Sequence, residues 1–222
     1  MVTEQLDKAK RSKGVDPRSL RLRGGHPVLD FLNTVDPRVG DPARDTDYLL
    51  GYEGLIDWCV HAGTLDASAA DDLRRTARHE IAAGERVLER ARELREAIHS
   101  ILTASIGRSA PAERSLATLN DELARALTHA RVEGAKSGLF AWGWDAAAAG
   151  LERPLWALVR GAAELLTSDD LKRVRLCAGD DCGWLFLDVS RNRSRRWCSM
   201  DSCGNRAKAR RHYARTRARR SA

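Results

Sequence analysis

The chain has 222 residues, 43% of them apolar and 31% charged, with a formal net charge of +7. That length suits one medium domain and a small appendage around a buried core, and no run approaches the ~20 apolar residues that a bilayer span requires, so no membrane partner is expected. The charge is uneven: residues 171–222 hold 15 Lys and Arg against 4 Asp and Glu, whereas residues 1–170 hold 23 against 27. A basic end on an otherwise slightly acidic chain points to a polyanionic partner for that end alone.

Residues 1–20 are polar, aperiodic and dotted with Lys8, Lys10, Arg11 and Lys13, the pattern of a flexible basic arm. Its first 14 residues lack the apolar stretch of an export signal, so a cytoplasmic location with reduced thiols is expected. After the Gly24-Gly25-His26-Pro27 turn, Val28, Leu29, Leu32 and Val35 predict a short helix, and residues 36–47 read as a Pro-containing loop. Leu55, Trp58 and Cys59 mark a helical face ending near Gly63. Asp66 is placed to cap the next helix, whose inner face carries Leu73, Ala77 and Ile81, and the period continues through Leu88, Ala91, Leu94, Ile98, Ile101 and Leu102. Gly84 is the expected kink or break in this run, because glycine costs a helix interior about 1 kcal/mol relative to alanine.

Leu116, Leu119, Leu123 and Leu127 set out a further helix. Residues 131–145 alternate Phe140, Trp142 and Trp144 between glycines and read as a β-hairpin. Leu155, Leu158, Ala162 and Leu165 give a last helix before a boundary at residues 167–170. The expectation is an α+β chain: a mainly helical N-terminal domain with a small β component over residues 21–168, then a small C-terminal finger over residues 171–222.

Cys177, Cys182, Cys198 and Cys203 form Cys-x4-Cys-x15-Cys-x4-Cys. Zinc prefers four tetrahedral thiolate or imidazole ligands, and cysteines a few residues apart let one turn supply two of them; the x4 spacing is longer than the common x2 form. The spacer, with Trp184-Leu185-Phe186-Leu187 and then Ser190 to Ser194, reads as strand, turn, strand. Four thiolates leave no open coordination position, so one structural Zn2+ is expected and a catalytic zinc is not. Disulfides compete only in an exported protein, and a redox switch among nearby arginines is compatible with zinc. Cys59, on an apolar helical face, reads as a core residue.

Beyond Cys203, residues 204–220 would make a helix about 25 Å long with no apolar stripe past Tyr213. Arg206, Lys208, Arg210, Arg211 and Arg215 on this helix, with Arg191, Arg193, Arg195 and Arg196 in the spacer, are the candidate nucleic-acid contacts. Like charges at i,i+4 disfavour the isolated helix, and a phosphate backbone would relieve them. DNA is expected first; an RNA-binding or ribosome-associated protein is the alternative.

In the N-terminal domain, His26, Asp30 and Asn33 cluster about a helix start as a candidate small-ligand pocket, against capping and turn bonds as the ordinary explanation. His79-Glu80 lacks the second histidine of a zinc-protease helix, and nucleophile-elbow, phosphate-loop and dinucleotide motifs are missing. No enzyme is therefore expected, with N-terminal small-molecule binding or chemistry as the remaining alternative.

The segment from Arg175 to Arg211, with the tetrapeptide Cys203-Gly204-Asn205-Arg206, resembles the CGNR zinc-finger family. Gly24 to Val35 resembles the opening of the ABATE domain that precedes the finger in that family. The resemblance implies a bacterial, stress-linked transcription regulator with a treble-clef-like or zinc-ribbon-like finger. The leading expectation is a zinc-dependent DNA-binding regulator whose N-terminal domain senses an effector or forms a homodimer.

Overall fold

The computed structural model describes residues 15–39, 46–134, 138–145 and 150–220; Lys8, Lys10, Arg11 and Lys13 of the expected arm lie outside them. In chain order the elements are α1 (Pro27–Leu32), β1 (Val35–Asp36), β2 (Thr46–Asp47), α2 (Gly51–His61), α3 (Ala67–His79), α4 (Ile81–Ile106), α5 (Glu113–Leu127), β3 (Ala130–Gly134), β4 (Phe140–Trp144), α6 (Arg153–Thr167), β5 (Val174–Leu176), β6 (Leu185–Leu187) and α7 (Asn205–Arg220). The strands pair as three antiparallel ribbons, β1 with β2, β3 with β4 and β5 with β6.

The helices start where short-range chemistry satisfies their free N–H groups. Pro27 opens α1, and His26 Nδ1 accepts from the Val28 N–H at 3.2 Å; Asp66 caps α3 by accepting from the Ala69 N–H at 2.8 Å. The predicted long run breaks at Glu80, not at Gly84, and Ile81 is left 70% exposed. Gly84 is buried inside α4, where a Cβ would lie 3.2 Å from the Tyr52 ring. Tyr52 cannot retreat, since it is buried and its hydroxyl donates to the Leu151 carbonyl at 2.5 Å. The glycine therefore serves the close approach of α2 to α4.

The 26-residue α4 runs through the centre, burying Leu88, Ala91, Leu94, Ile98 and Leu102 against α1, α2, α5 and α6. Two of the expectations are revised by contacts distant in sequence. Residues 15–20, which composition assigns to the arm, belong to the folded domain: Pro17 and Leu20 are buried, and the Leu20 carbonyl meets His61 Nε2 at 2.9 Å. The expected loop after Asp36 contains a short ladder, β1 with β2, held by Arg95. That arginine is 4% exposed and donates to both Asp47 oxygens at 2.8 and 2.7 Å and to Thr34 Oγ1 at 2.9 Å.

The finger differs from the expected strand, turn, strand. β6 pairs with β5, which precedes the first cysteine, in the register Val174↔Leu187 and Leu176↔Leu185. After β6 the chain turns, because the buried Asp188 carboxylate accepts from the Ser190 N–H (3.0 Å), the Ser190 hydroxyl (2.5 Å) and the Arg195 N–H (3.1 Å).

Nor does the finger stand apart. All three β6 residues are buried, and one hydrophobic cluster runs from Leu20 through the helices to Cys203. The Asn33 amide donates to the Leu185 carbonyl at 2.9 Å and accepts from the Leu185 N–H at 3.0 Å, while the Leu187 N–H donates to the Gly24 carbonyl at 2.7 Å. The side chain of Asn33, the C-cap of α1, thus acts as a short surrogate strand for β6. Trp184 Nε1 to the Val35 carbonyl (3.2 Å) and the Arg38 N–H to the Cys182 carbonyl (2.8 Å) extend the seam.

Candidate metal centre and basic helix

The two cysteine pairs come from two kinds of local structure. Cys177 follows β5, and Cys182 precedes β6, so the first pair flanks the turn of a hairpin. Gly179 lies in that turn, where a Cβ would meet Cys203 Sγ at 3.2 Å, and Gly183 takes φ +69°, a conformation that favours glycine. Cys198 enters from the Asp188-organised turn. Cys203 sits in a wide helical turn, Met200–Gly204, that leads into α7 and is capped by Ser199 Oγ on the Asp201 N–H at 3.1 Å. A hairpin knuckle followed by a ligand at a helix start is the treble-clef-like arrangement.

The four Sγ atoms lie within 4.8 Å of one another and all four residues are buried. Cys182 and Cys203 each stand 3.7 Å from Cys198. With Zn–S bonds of about 2.3 Å, a tetrahedron has edges of about 3.8 Å, so these spacings suit that ion. The sulfurs also receive donors: the Cys198 N–H points to Cys177 Sγ at 3.3 Å, and Arg206 Nη2 to Cys203 Sγ at 3.2 Å.

Without a cation the thiols conflict. Cys177 is held down to about 2, foremost by hydrogen bonds from the Cys182 and Cys198 thiols. The same contact with Cys177 pushes Cys182 up, and Cys198 up to about 12. Four ionised sulfurs this close require a dication among them, which deprotonates its thiol ligands outright. The residues form a single structural zinc site, closed by four thiolates with no position left for substrate. Cys59, by contrast, is a fully buried core residue whose thiol burial pushes up to about 12.

The nine basic candidates separate into two groups. Arg195 is built into the finger: it donates to the carbonyls of Trp197 (3.0 Å), Arg23 (3.2 Å) and Cys198, and its guanidinium lies 4.3 Å from the Phe186 ring centroid. Arg206 sits on a ligand sulfur, and Arg210 pairs with Asp180 at 3.0 Å, pinning the first turns of α7 to the knuckle. Arg191, Arg193, Lys208, Arg211 and Arg215 are exposed, as is Arg196, which lies 5.3 Å from the Trp197 ring centroid.

The structure does not bring His26, Asp30 and Asn33 to one cavity. His26 caps α1, Asp30 Oδ1 accepts from the Gly24 N–H at 2.7 Å, and Asn33 bonds Leu185. Burial pushes the Asp30 carboxyl up to about 6. A cleft between the finger and the segment preceding α1 is lined by Arg21, Arg23, Tyr48, Trp184, Ser202 and Arg206, and by none of those three. The seam through Asn33 and the turn through Asp188 escape sequence reading, because their partners lie on other elements and no spacing marks them.

Among the described residues no helix is long and apolar enough to cross a membrane. Two family models match: the CGNR zinc finger over residues 173–216, and ABATE, described as "Putative stress-induced transcription regulator", over residues 25–169. Neither is an enzyme family. No curated protein matches the chain. With the larger match spanning well over half its length and the four-cysteine site in place, the chain belongs to the ABATE family and carries a C-terminal CGNR zinc finger.

Proposed function

We propose that this protein is a zinc-dependent, DNA-binding transcription regulator of the cytoplasm, without enzymatic activity, whose N-terminal domain senses a small-molecule effector. The observation that carries this reading is α7. It is a 16-residue helix whose described side chains, Ala207 and Thr216 apart, are all exposed. No core stabilises its outer turns, and its arginines repel one another, so an anionic partner supplies what the fold does not. The anchor is the metal site: Cys203, Arg206 and Arg210 fix the first turns and leave the rest projecting.

DNA is favoured over RNA by shape. A straight helix of about 24 Å enters the wide major groove of B-DNA, whereas the major groove of A-form RNA is too narrow for one. Arg191, Arg193, Arg196, Lys208, Arg211 and Arg215 are assigned to phosphates. Five free cysteines and no disulfide among the described residues suit a reducing compartment, and the closed thiolate shell argues against catalysis at the metal.

Fluorescence anisotropy with duplex DNA and structured RNA, on zinc-loaded and chelator-stripped protein over a range of salt, tests the proposal. Six neutralised phosphates give a slope of log K against log salt of about −5, with binding lost on stripping. A slope shallower than about −2, or tighter binding to the RNA, would overturn it.

A further inference from the structure

Part of one face of the β3–β4 hairpin stands open to solvent. The register Ala130↔Trp144, Val132↔Trp142 and Gly134↔Phe140 puts these six residues on the same side of the ribbon, because opposed residues share a face and alternate residues return to it. Arg131, Glu133, Ala141 and Gly143 take the other side. The base of the apolar face is tied to the core: Trp144 meets the buried Trp156 at 5.5 Å, and the Arg160 guanidinium lies 5.3 Å from the Trp142 centroid. The outer part is open, with Val132 67%, Phe140 79% and Trp142 53% exposed.

A two-stranded ribbon is marginal by itself in water, and a contiguous apolar patch on its face marks an interaction surface. The Arg160 guanidinium beside this face is already paired with Glu164 at 2.9 Å, and the open side chains are apolar, so an ionic partner is not what the face selects. What suits it is a surface of the same kind. Ile81, Val189 and Tyr213, comparably exposed, stand apart on α4, in the turn after β6 and on α7. Val132, Phe140 and Trp142 together present roughly 400 Å2, so two copies face to face would remove roughly 800 Å2 from water, the size of a weak, concentration-dependent interface.

We propose that this hairpin face is a homodimer interface, in which Val132, Phe140 and Trp142 of two copies pack against each other about a two-fold axis. Such an interface is isologous, so it closes at two copies and leaves no apolar face over. It stands independently of what α7 binds.

Sedimentation equilibrium of the full-length, zinc-loaded protein from about 1 to 200 μM tests it, since that range brackets micromolar dissociation constants. The wild type is expected to dimerise. Phe140→Glu is expected to raise the dimer dissociation constant at least about 100-fold, because the substitution acts twice across the axis. Glu133→Gln, on the opposite face, is expected to leave it unchanged. A monomeric wild type throughout the range, an unweakened Phe140→Glu dimer, or assembly beyond two copies overturns the proposal. Should Phe140→Glu fail to fold, amide exchange of residues 130–144 in the wild type decides: protection that grows with protein concentration supports the interface, and protection independent of concentration refutes it.

Discussion

Replacing Asn33 with alanine separates two views of this chain, a helical domain carrying an independent finger or one body whose finger completes the core. Asn33 is 1% exposed and its amide makes two hydrogen bonds with Leu185, which is itself fully buried. Each group stranded in the substitution costs about 1 to 3 kcal/mol when water cannot reach it. Two backbone groups of Leu185 are affected, and the methyl of alanine fills little of the space left, so a loss of about 3 kcal/mol is expected. For a chain of this length that lowers the melting temperature by roughly 6 to 12 °C. Asn33→Asp keeps an acceptor for the Leu185 N–H but sets a carboxylate against the Leu185 carbonyl, so it is expected to be at least as damaging. Urea unfolding of the zinc-loaded proteins measures the loss, and amide exchange at Leu185 and Leu187 locates it. A change under about 0.5 kcal/mol with unaltered protection of β6 would refute the reasoning and restore the independent finger.

Other consequences follow from the same contacts. Stripping the zinc, or Cys203→Ser, is expected to lower the melting temperature of the whole chain in a single transition, because β6 belongs to the common core; structural zinc supplies roughly 10 to 16 kcal/mol in finger peptides, and a colorimetric zinc assay should return one ion per wild-type chain. Arg195→Ala and Arg211→Ala are expected to part company: the first removes carbonyl and ring contacts and lowers the melting temperature, while the second leaves it and makes the DNA salt slope shallower by about 1. Equal effects in both assays would contradict the division of the arginines. His99 is pushed down to about 4, first by burial and then by the nearby Arg38 charge. As pH falls from about 6.5 towards 4, the unfolded chain takes up a proton that the folded chain refuses, so stability is lost by on the order of 3 kcal/mol. Asp30, pushed up to about 6 by burial, opposes this trend, so the measured quantity is the difference in stability between wild type and His99→Gln, which should change by on the order of 3 kcal/mol across that window; a difference independent of pH would count against it.

Much of this molecule is local and was therefore legible in residue order. The helices follow apolar periods that survive any tertiary context, Asp66 caps because its target is three residues away, and the β3–β4 hairpin is marked by alternation between glycines. The zinc ligands declare themselves because thiolate chemistry is carried by residue type, and two pairs at short spacing need only one chain reversal to meet. What periodicity could not convey is which partner a polar side chain finds across the fold. Gly84 looked like a helix breaker and is a contact with Tyr52; Asn33 looked like a pocket residue and is the edge partner of β6. Arg195 looked like a phosphate ligand and is bonded to three carbonyls. Spacing in sequence therefore determined the helices, the hairpin and the metal ligands, whose forces act within a few residues or through residue chemistry alone. Only the tertiary structure decided that finger and helical domain share one core, because that depends on buried hydrogen bonds between groups about 150 residues apart, where each partner is chosen by desolvation and not by sequence proximity.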